Sequence, residues 1–164
     1  MGYYVLIRGP AGVGKSTIST LLASEIGAQA IHFDKVLEEL GIDEVVDNKW
    51  IPLDRFLKAD DVALPRARRE LESGRNLVMD GNFYHKEQID DIVSKLEFPH
   101  VAFTLKAGLS ECVKRDKARK NALGEQNIEA VFRLVSAFDY GNVIKTDDKT
   151  PEEVVEEIVR VLPH

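Results

Sequence analysis

The sequence predicts a three-layer α/β domain in which five parallel strands are covered by helices. Short apolar runs alternate with segments of helical periodicity along all 164 residues, which is the pattern of repeated βαβ units. A glycine-rich stretch, GPAGVGKST at residues 9–17, follows the first apolar run directly and precedes the first helical segment. We therefore expect one domain over residues 1–164.

The predicted strands are mainly apolar runs of five to seven residues, bounded by glycine and polar turn formers. The first run, YYVLIR, is apolar at every position before its arginine, so its strand should be buried on both faces of the sheet. In chain order, the predicted strands cover residues 3–8, 28–34, 76–81, 100–106 and 142–146.

The predicted helices combine a helical spacing of apolar residues with recognisable ends. Gly27 and Gly74 follow two of these segments as terminal glycines, and Thr150 before Pro151 is a good N-cap. In chain order, the predicted helices cover residues 15–27, 35–41, 60–74, 86–97, 110–121, 125–140 and 150–162.

The segment 42–57 shows no clear period and is expected to be an irregular insertion beside a substrate. We expect the next helix to begin at Asp60, because Asp60 and Asp61 would fill its first turn and Pro65 would lie near its start.

The composition argues against two classes of protein. With 44% hydrophobic and 30% charged residues, the chain is neither disordered nor a membrane protein, and no apolar run approaches the ~20 residues of a spanning helix. The single cysteine, Cys112, excludes an internal disulfide and is expected to pack inside a helix. A reducing cytoplasm fits best. The net charge of −6 disfavours broad nucleic-acid binding but leaves room for a local basic site.

Residues Gly9 to Ser16 match the pattern Gly-x-x-x-x-Gly-Lys-Ser, which wraps backbone N–H groups around phosphate. Glycines keep side chains out of the way, and the dipole of the following helix favours negative charge. Lys15 is expected to bridge the β- and γ-phosphates, Ser16 to bind Mg²⁺, and Thr17 to lie at the α-phosphate. The candidate nucleotide-binding residues here are Gly9, Ala11, Gly12, Val13, Gly14, Lys15, Ser16 and Thr17.

Two classes of nucleotide-binding protein fit the sequence poorly. A GTPase needs Asn-Lys-x-Asp to read guanine, for which TDDKT at 146–150 is a poor substitute. A transport ATPase needs its signature loop and a far longer chain. A compact phosphotransferase fits better, and a protein that binds ATP without transferring phosphate is the alternative from another class.

Four segments in order, GPAGVGKST, HFD, LVMDGNF and KRDKAR, resemble the small P-loop kinases grouped around polynucleotide kinase and zeta-toxin-like kinases, with adenylate and shikimate kinases more distant. The resemblance implies the three-layer P-loop NTP hydrolase fold, with sheet order 2-3-1-4-5 and a helical lid at about residues 112–127. It also implies ATP and Mg²⁺ as co-substrates and a hydroxyl on the acceptor.

Asp34 is expected at the rim of the sheet, where a carboxylate can accept the proton of an acceptor hydroxyl. The matching aspartate has that role in the resembling kinases, and the alternative is an N-cap for the following helix. Polynucleotide kinases carry an arginine three residues later, where this chain has Leu37. A small-molecule or nucleoside/nucleotide acceptor is therefore favoured over the 5′-hydroxyl of RNA or DNA, which stays as an alternative.

Asp80 follows the apolar run NLVM and matches the acidic strand end that holds Mg²⁺ in P-loop proteins, although an Asp-Gly turn would also explain it. Asn82 and Tyr84 are candidates to contact the acceptor, or else surface loop residues.

Arg115 and Arg119 lie four residues apart in KRDKARK and would share a helix face. In the resembling kinases, two lid arginines at this point neutralise charge on the transferred phosphoryl group, and one of them packs near the adenine. Arg119 is therefore also a candidate nucleotide-binding residue. A solvated basic helix is the alternative. Residues 120–126, which include Gly124, are a candidate mobile hinge of the lid.

Overall fold

A five-stranded parallel sheet organises the chain, and its strands, numbered along the sequence, lie in the order 2-3-1-4-5 that the resemblance implied. The computed structural model describes residues 1–46 and 50–163. The strands are β1 Tyr4–Arg8, β2 Gln29–His32, β3 Leu77–Gly81, β4 His100–Lys106 and β5 Asn142–Lys145. The helices are α1 Lys15–Glu25, α2 Phe33–Glu39, α3 Leu53–Glu72, α4 Lys86–Lys95, α5 Leu109–Lys117, α6 Glu125–Val135 and α7 Pro151–Val159.

Both faces of the sheet are covered, and each face has its own hydrophobic core. Along β1, Tyr4 and Leu6 point into the core shared with α2, α3 and α4, whereas Val5 and Ile7 point into the core shared with α1 and α7. This alternation follows from the two-residue period of a strand. The prediction that β1 is buried on both faces is confirmed.

Several predicted helix ends are confirmed. The chain leaves α1 through Gly27, which has a φ of 62°, and the Ala28 N–H reaches back to the Ala23 carbonyl, as in a Schellman ending. At α7, the Thr150 side chain accepts the Glu153 N–H and the Glu153 carboxylate accepts the Thr150 N–H, forming a capping box. No helix in the described part of the chain has the length and apolar character to cross a membrane.

Two predicted boundaries on the β2 side are wrong. The second strand ends at His32, so Asp34 lies inside the first turn of α2, and the N-cap position belongs to His32. The interpretation of Asp34 as an N-cap is therefore also wrong.

The helix predicted to begin at Asp60 begins at Leu53, and Pro65 lies in its interior. Its apolar stripe, which includes Phe56, Ala59 and Leu71, packs into the core. We infer that this packing outweighs the single backbone hydrogen bond that Pro65 removes.

The helices predicted over 110–121 and 125–140 are both shorter than expected. The first ends at Lys117 because the Asp116 carboxylate accepts the N–H groups of Leu123 and Gly124 and folds the chain into a turn. The second ends at Val135. There the buried Arg8 side chain donates hydrogen bonds to the Val135 and Phe138 carbonyls.

Asp60 is a fully buried acid between α3 and α4. Gln88 Nε2 donates to its Oδ1 at 2.9 Å, and its Oδ2 receives no hydrogen bond among the described residues. Burial, together with the nearby Asp91 carboxyl, raises the pKa of Asp60 to about 8, although the hydrogen bond from Gln88 opposes the shift. The neutral acid is therefore the form that the fold favours.

We expect Asp60→Asn to stabilise the protein above pH 8. In the unfolded chain Asp60 ionises near its ordinary pKa of 3.8, while the folded chain keeps the proton to about 8. Its contribution to stability is thus full below the unfolded pKa and is lost as pH rises through the folded pKa. Asparagine retains the contacts of the neutral acid. Urea unfolding at pH 5 and pH 9 should show the variant gaining a few kcal/mol relative to wild type, mostly at pH 9.

Asp61→Asn is the matched control, because Asp61 is exposed and pairs with Lys95 at the surface. An equal pH response in both variants would contradict the buried-acid explanation.

Candidate active site

A cleft of about 820 Å³ opens at the carboxyl ends of the strands, above β1. Residues that follow all five strands line it. A crevice is expected at this place in an open α/β sheet, because the connections on either side of the central strand run in opposite directions. The glycine-rich loop between β1 and α1 forms its floor.

The loop is held in a shape that requires glycine. Gly12 and Gly14 have φ values of 83° and 99°, and a Cβ at Gly12 would lie 2.4 Å from the Cys112 carbonyl oxygen. Cys112 itself is buried in α5 against this loop, as predicted. The loop thus leads without side-chain obstruction to the N-terminus of α1, whose first N–H groups face the cleft.

Lys15 lies at the centre of the cleft floor, and its Nζ donates to the Pro10 carbonyl at 3.2 Å. Burial lowers the pKa of Lys15, while the nearby carboxylates of Asp34 and Asp80 raise it. The structure therefore brings together one ammonium group and two carboxylates predicted from three separate segments of the chain.

Asp34 stands beside Lys15 on the first turn of α2 and lines the cleft. Its side chain is open to the cleft, yet the walls displace enough water that desolvation raises the pKa of Asp34, with Lys15 opposing the shift. A carboxylate with a raised pKa is a better proton acceptor than an ordinary surface aspartate.

Asp80 is the buried penultimate residue of β3, and its Oδ2 lies 2.5 Å from Nδ1 of His32 on the neighbouring strand. The histidine fixes the carboxylate and leaves its other oxygen free of hydrogen bonds to described residues. Ser16, exposed on the cleft floor, supplies a hydroxyl. No group of three or more acidic, histidine or cysteine side chains forms a metal cage among the described residues.

This donor set fits Mg²⁺, which takes hard oxygen ligands and usually keeps several waters and phosphate oxygens rather than a full protein cage. Ser16 supplies such an oxygen on the cleft floor. Asp80 is buried and does not line the cleft, but its carboxylate lies close enough to Lys15 to raise the pKa of that lysine.

The turn after β3 projects two side chains into the cleft. Phe83 between them is the one non-glycine residue with positive φ, 46°, in the described chain, and its ring is buried against Phe33. Asn82 and Tyr84 line the cleft rather than an exposed loop. The Asn82 Oδ1 is buried without a hydrogen-bond partner among described residues, and the Tyr84 hydroxyl accepts the Ile51 N–H at 2.9 Å.

The two predicted lid arginines both line the cleft but differ in their contacts. The Arg115 guanidinium donates to Glu111, to the Val13 carbonyl at 3.0 Å and to Thr146 at 3.1 and 3.3 Å. It thereby links the glycine-rich loop to Thr146, the residue directly after β5. The prediction that both arginines share a helix face is wrong, because Arg119 lies in the turn after α5. Its exposed side chain lines the cleft and forms no hydrogen bond to any described residue.

Two residues that position the site were missed in the sequence. Arg8, buried at the end of β1, donates to the Phe83 carbonyl and stacks on the Phe138 ring at 4.1 Å, and burial lowers its pKa to about 10. Asp116 shapes the turn before α6. A charged residue that ends a buried strand was the available signal for Arg8. Asp116 was hidden inside a basic run and gave no such signal.

Comparison with known proteins agrees with this geometry. A family model described as an AAA domain matches residues 5–138. A protein of Pyrococcus abyssi named "Putative adenylate kinase" is 32% identical, with 96% of this chain and 83% of that protein covered. A cytidylate kinase of Ignicoccus hospitalis is 30% identical, with 96% and 98% covered.

Among solved structures, a sugar kinase from Janibacter sp. HTCC2649 superimposes with a TM-score of 0.75 at 15% identity, covering 98% of this chain and 94% of that one. At this identity the likeness shows the fold alone. Together with the sequence relatives and the loop geometry, it leads to one assignment: the chain belongs to the P-loop kinases, a family of phosphotransferases.

Proposed function

We propose that the protein transfers the γ-phosphoryl group of ATP to a hydroxyl of a small-molecule or nucleoside/nucleotide acceptor. The observation that carries the proposal is the position of Asp34 and Lys15 side by side on one cleft floor. One group attracts the triphosphate, and the other can accept a proton from the incoming hydroxyl.

The proposed nucleotide site uses the loop and the start of α1. The backbone N–H groups of residues 9–17 surround the phosphates, and Lys15 exchanges its bond to the Pro10 carbonyl for the β- and γ-phosphate oxygens. Thr17 lies at the α-phosphate. Ser16 and Asp80 would hold Mg²⁺, which supplies neutralisation of phosphate charge when bound.

In the proposed reaction, the acceptor oxygen forms a bond to the γ-phosphorus while the bond from that phosphorus to the bridging oxygen breaks. ADP leaves, and the hydroxyl proton passes to Asp34. The flat guanidinium of Arg119 forms no hydrogen bond to a described residue, and it stabilises the charge on the transferring group. Arg115 acts from its tether between the loop and Thr146, as a positioning residue in this arrangement.

We further propose that residues 1–164 act as one domain, with residues 112–127 as a lid over the nucleotide. The turn held by Asp116 ends at Gly124. The φ of Gly124 is 89°, a value that is unfavourable for residues other than glycine. Such a turn is a suitable place for a lid to bend.

The alternative acceptor, the 5′-hydroxyl of RNA or DNA, gains no support at Leu37. This side chain is buried in the core beside α3, so the position offers no cation to an acceptor phosphate. Relatives named adenylate and cytidylate kinase keep nucleotide acceptors among the candidates.

The proposed function is tested by measuring ADP release from MgATP with nucleosides, nucleoside monophosphates, sugars, amino alcohols and 5′-hydroxyl oligonucleotides. We expect at least one small molecule to stimulate ADP release and to yield a phosphorylated product by mass spectrometry. ATP binding without any phosphorylated product would contradict the proposal.

Arg119→Ala should leave ATP bound within a few-fold of wild-type affinity and lower the transfer rate by about 10²-fold or more, because its charge matters most in the transition state. Rapid-mix assays of transfer and calorimetry of ATP binding separate the two effects. Lys117→Ala is the control, because it removes an exposed cation two residues away, at the end of α5, that does not line the cleft. Equal rates for the two variants would remove Arg119 from the mechanism.

A further inference from the structure

The strand order separates the charged side chains of the cleft into a positive half and a negative half. Because β2 and β3 lie on one side of β1, and β4 and β5 on the other, the residues that follow each pair line opposite halves. On the β4/β5 half stand Arg115, Arg119 and Lys149. This half and the loop supply the positive charge that a triphosphate needs.

The β2/β3 half carries charge of the opposite sign. Asp34, Glu38 and Asp43 line it, all three with exposed side chains. No lysine or arginine among the described residues lines this half. The nearby Arg55 is turned to the backbone, where its guanidinium donates to the carbonyls of Ile42 and Glu44.

The same half also presents aromatic surface beside its carboxylates. The rings of Trp50 and Tyr84 line it, and Trp50 is 44% exposed. Carboxylates beside aromatic faces attract organic cations, and a wall of acceptors selects ligands that donate hydrogen bonds.

We propose that the phosphoryl acceptor is a hydroxyl compound that carries a positive charge and no phosphate group; this inference rests on the proposed function. A protonated amine would face Glu38 and Asp43 while its hydroxyl reaches Asp34. An acceptor phosphate beside Glu38 and Asp43 would face carboxylates and no described cation of the same half, because Lys15 and Arg119, the cations that act on Asp34, stand on the floor and in the opposite half. This arrangement disfavours nucleoside monophosphates.

The test uses acceptors matched in shape and different in charge. Choline is compared with its uncharged isostere 3,3-dimethylbutan-1-ol, glucosamine with glucose, and AMP and CMP with adenosine and cytidine. For each compound, kcat/KM is measured with MgATP and the product is identified by mass spectrometry. We expect at least one cation to exceed its neutral partner about tenfold, and neither monophosphate to exceed its nucleoside.

A second arm tests the wall itself. Glu38→Gln should raise the KM of the cationic acceptor about fivefold with little change in kcat or in ATP affinity. Glu39→Gln is the matched control, because Glu39 is exposed on the same helix and does not line the cleft.

The outcomes separate this inference from the proposed function. Phosphorylation of AMP or CMP, or equal use of charged and neutral partners, would overturn the cationic acceptor and leave the kinase intact. Bound ATP with no phosphorylated product from any compound would overturn both.

Discussion

Lys15→Ala is expected to lower phosphoryl transfer by about 10³-fold or more. Lys15 is buried at the centre of the cleft floor, and no other lysine or arginine of the described chain both lies in the loop and faces the cleft. The γ-phosphoryl charge that develops during transfer would lose its nearest positive partner. Initial rates of ADP release with saturating acceptor measure the loss.

Two further variants make this prediction specific. Lys15→Met keeps the buried chain length without the charge and should be as inactive as the alanine variant, while thermal unfolding checks that both are folded. Lys114→Ala removes an exposed lysine from α5 and should retain wild-type rates. A folded Lys15→Met enzyme with more than a tenth of wild-type activity would show that the ammonium group is dispensable.

Asp34→Asn is expected to lower the transfer rate by about 10²- to 10⁴-fold with ATP binding preserved, because asparagine keeps the shape but cannot accept the proton. The matched control is Asp54→Asn, since Asp54 occupies the first turn of α3 as Asp34 occupies that of α2, yet lies outside the cleft lining. Normal turnover by Asp34→Asn would show that the base assignment is wrong.

The pH profile gives an independent check on Asp34. Burial raises its pKa above the ordinary value of 3.8, so the carboxylate should become protonated, and the rate should fall, at a higher pH than for an exposed aspartate. Wild-type kcat/KM should therefore decline on the acid side. The decline should be absent from the residual rate of Asp34→Asn.

Local signals in the sequence were enough to predict the sheet and the phosphate loop. The strand runs are short, apolar and well separated, and the pattern of Gly9 to Ser16 is typical of loops that bind phosphate through backbone N–H groups. Thr150 caps the beginning of α7 and Gly27 follows the end of α1 as predicted, because capping depends on a few adjacent residues.

The missed features depend on distant contacts. Asp60 looked like a helix start because acids favour first turns, and only the packing of α3 against α4 shows it as a buried acid. The structural role of Arg8 depends on hydrogen bonds to carbonyl groups that lie about 75 to 130 residues away along the chain. The charge division of the cleft likewise follows from strand order, which places Glu38 and Lys149 on opposite sides of one loop.

Calorimetric titration of the folded protein with MgATP tests the central claim most directly, namely that the loop and Lys15 hold a nucleoside triphosphate at the edge of the sheet. We predict saturable binding at one site per chain, strongly weakened in Lys15→Met. The absence of binding of both MgATP and MgGTP to well-folded wild-type protein would contradict the account.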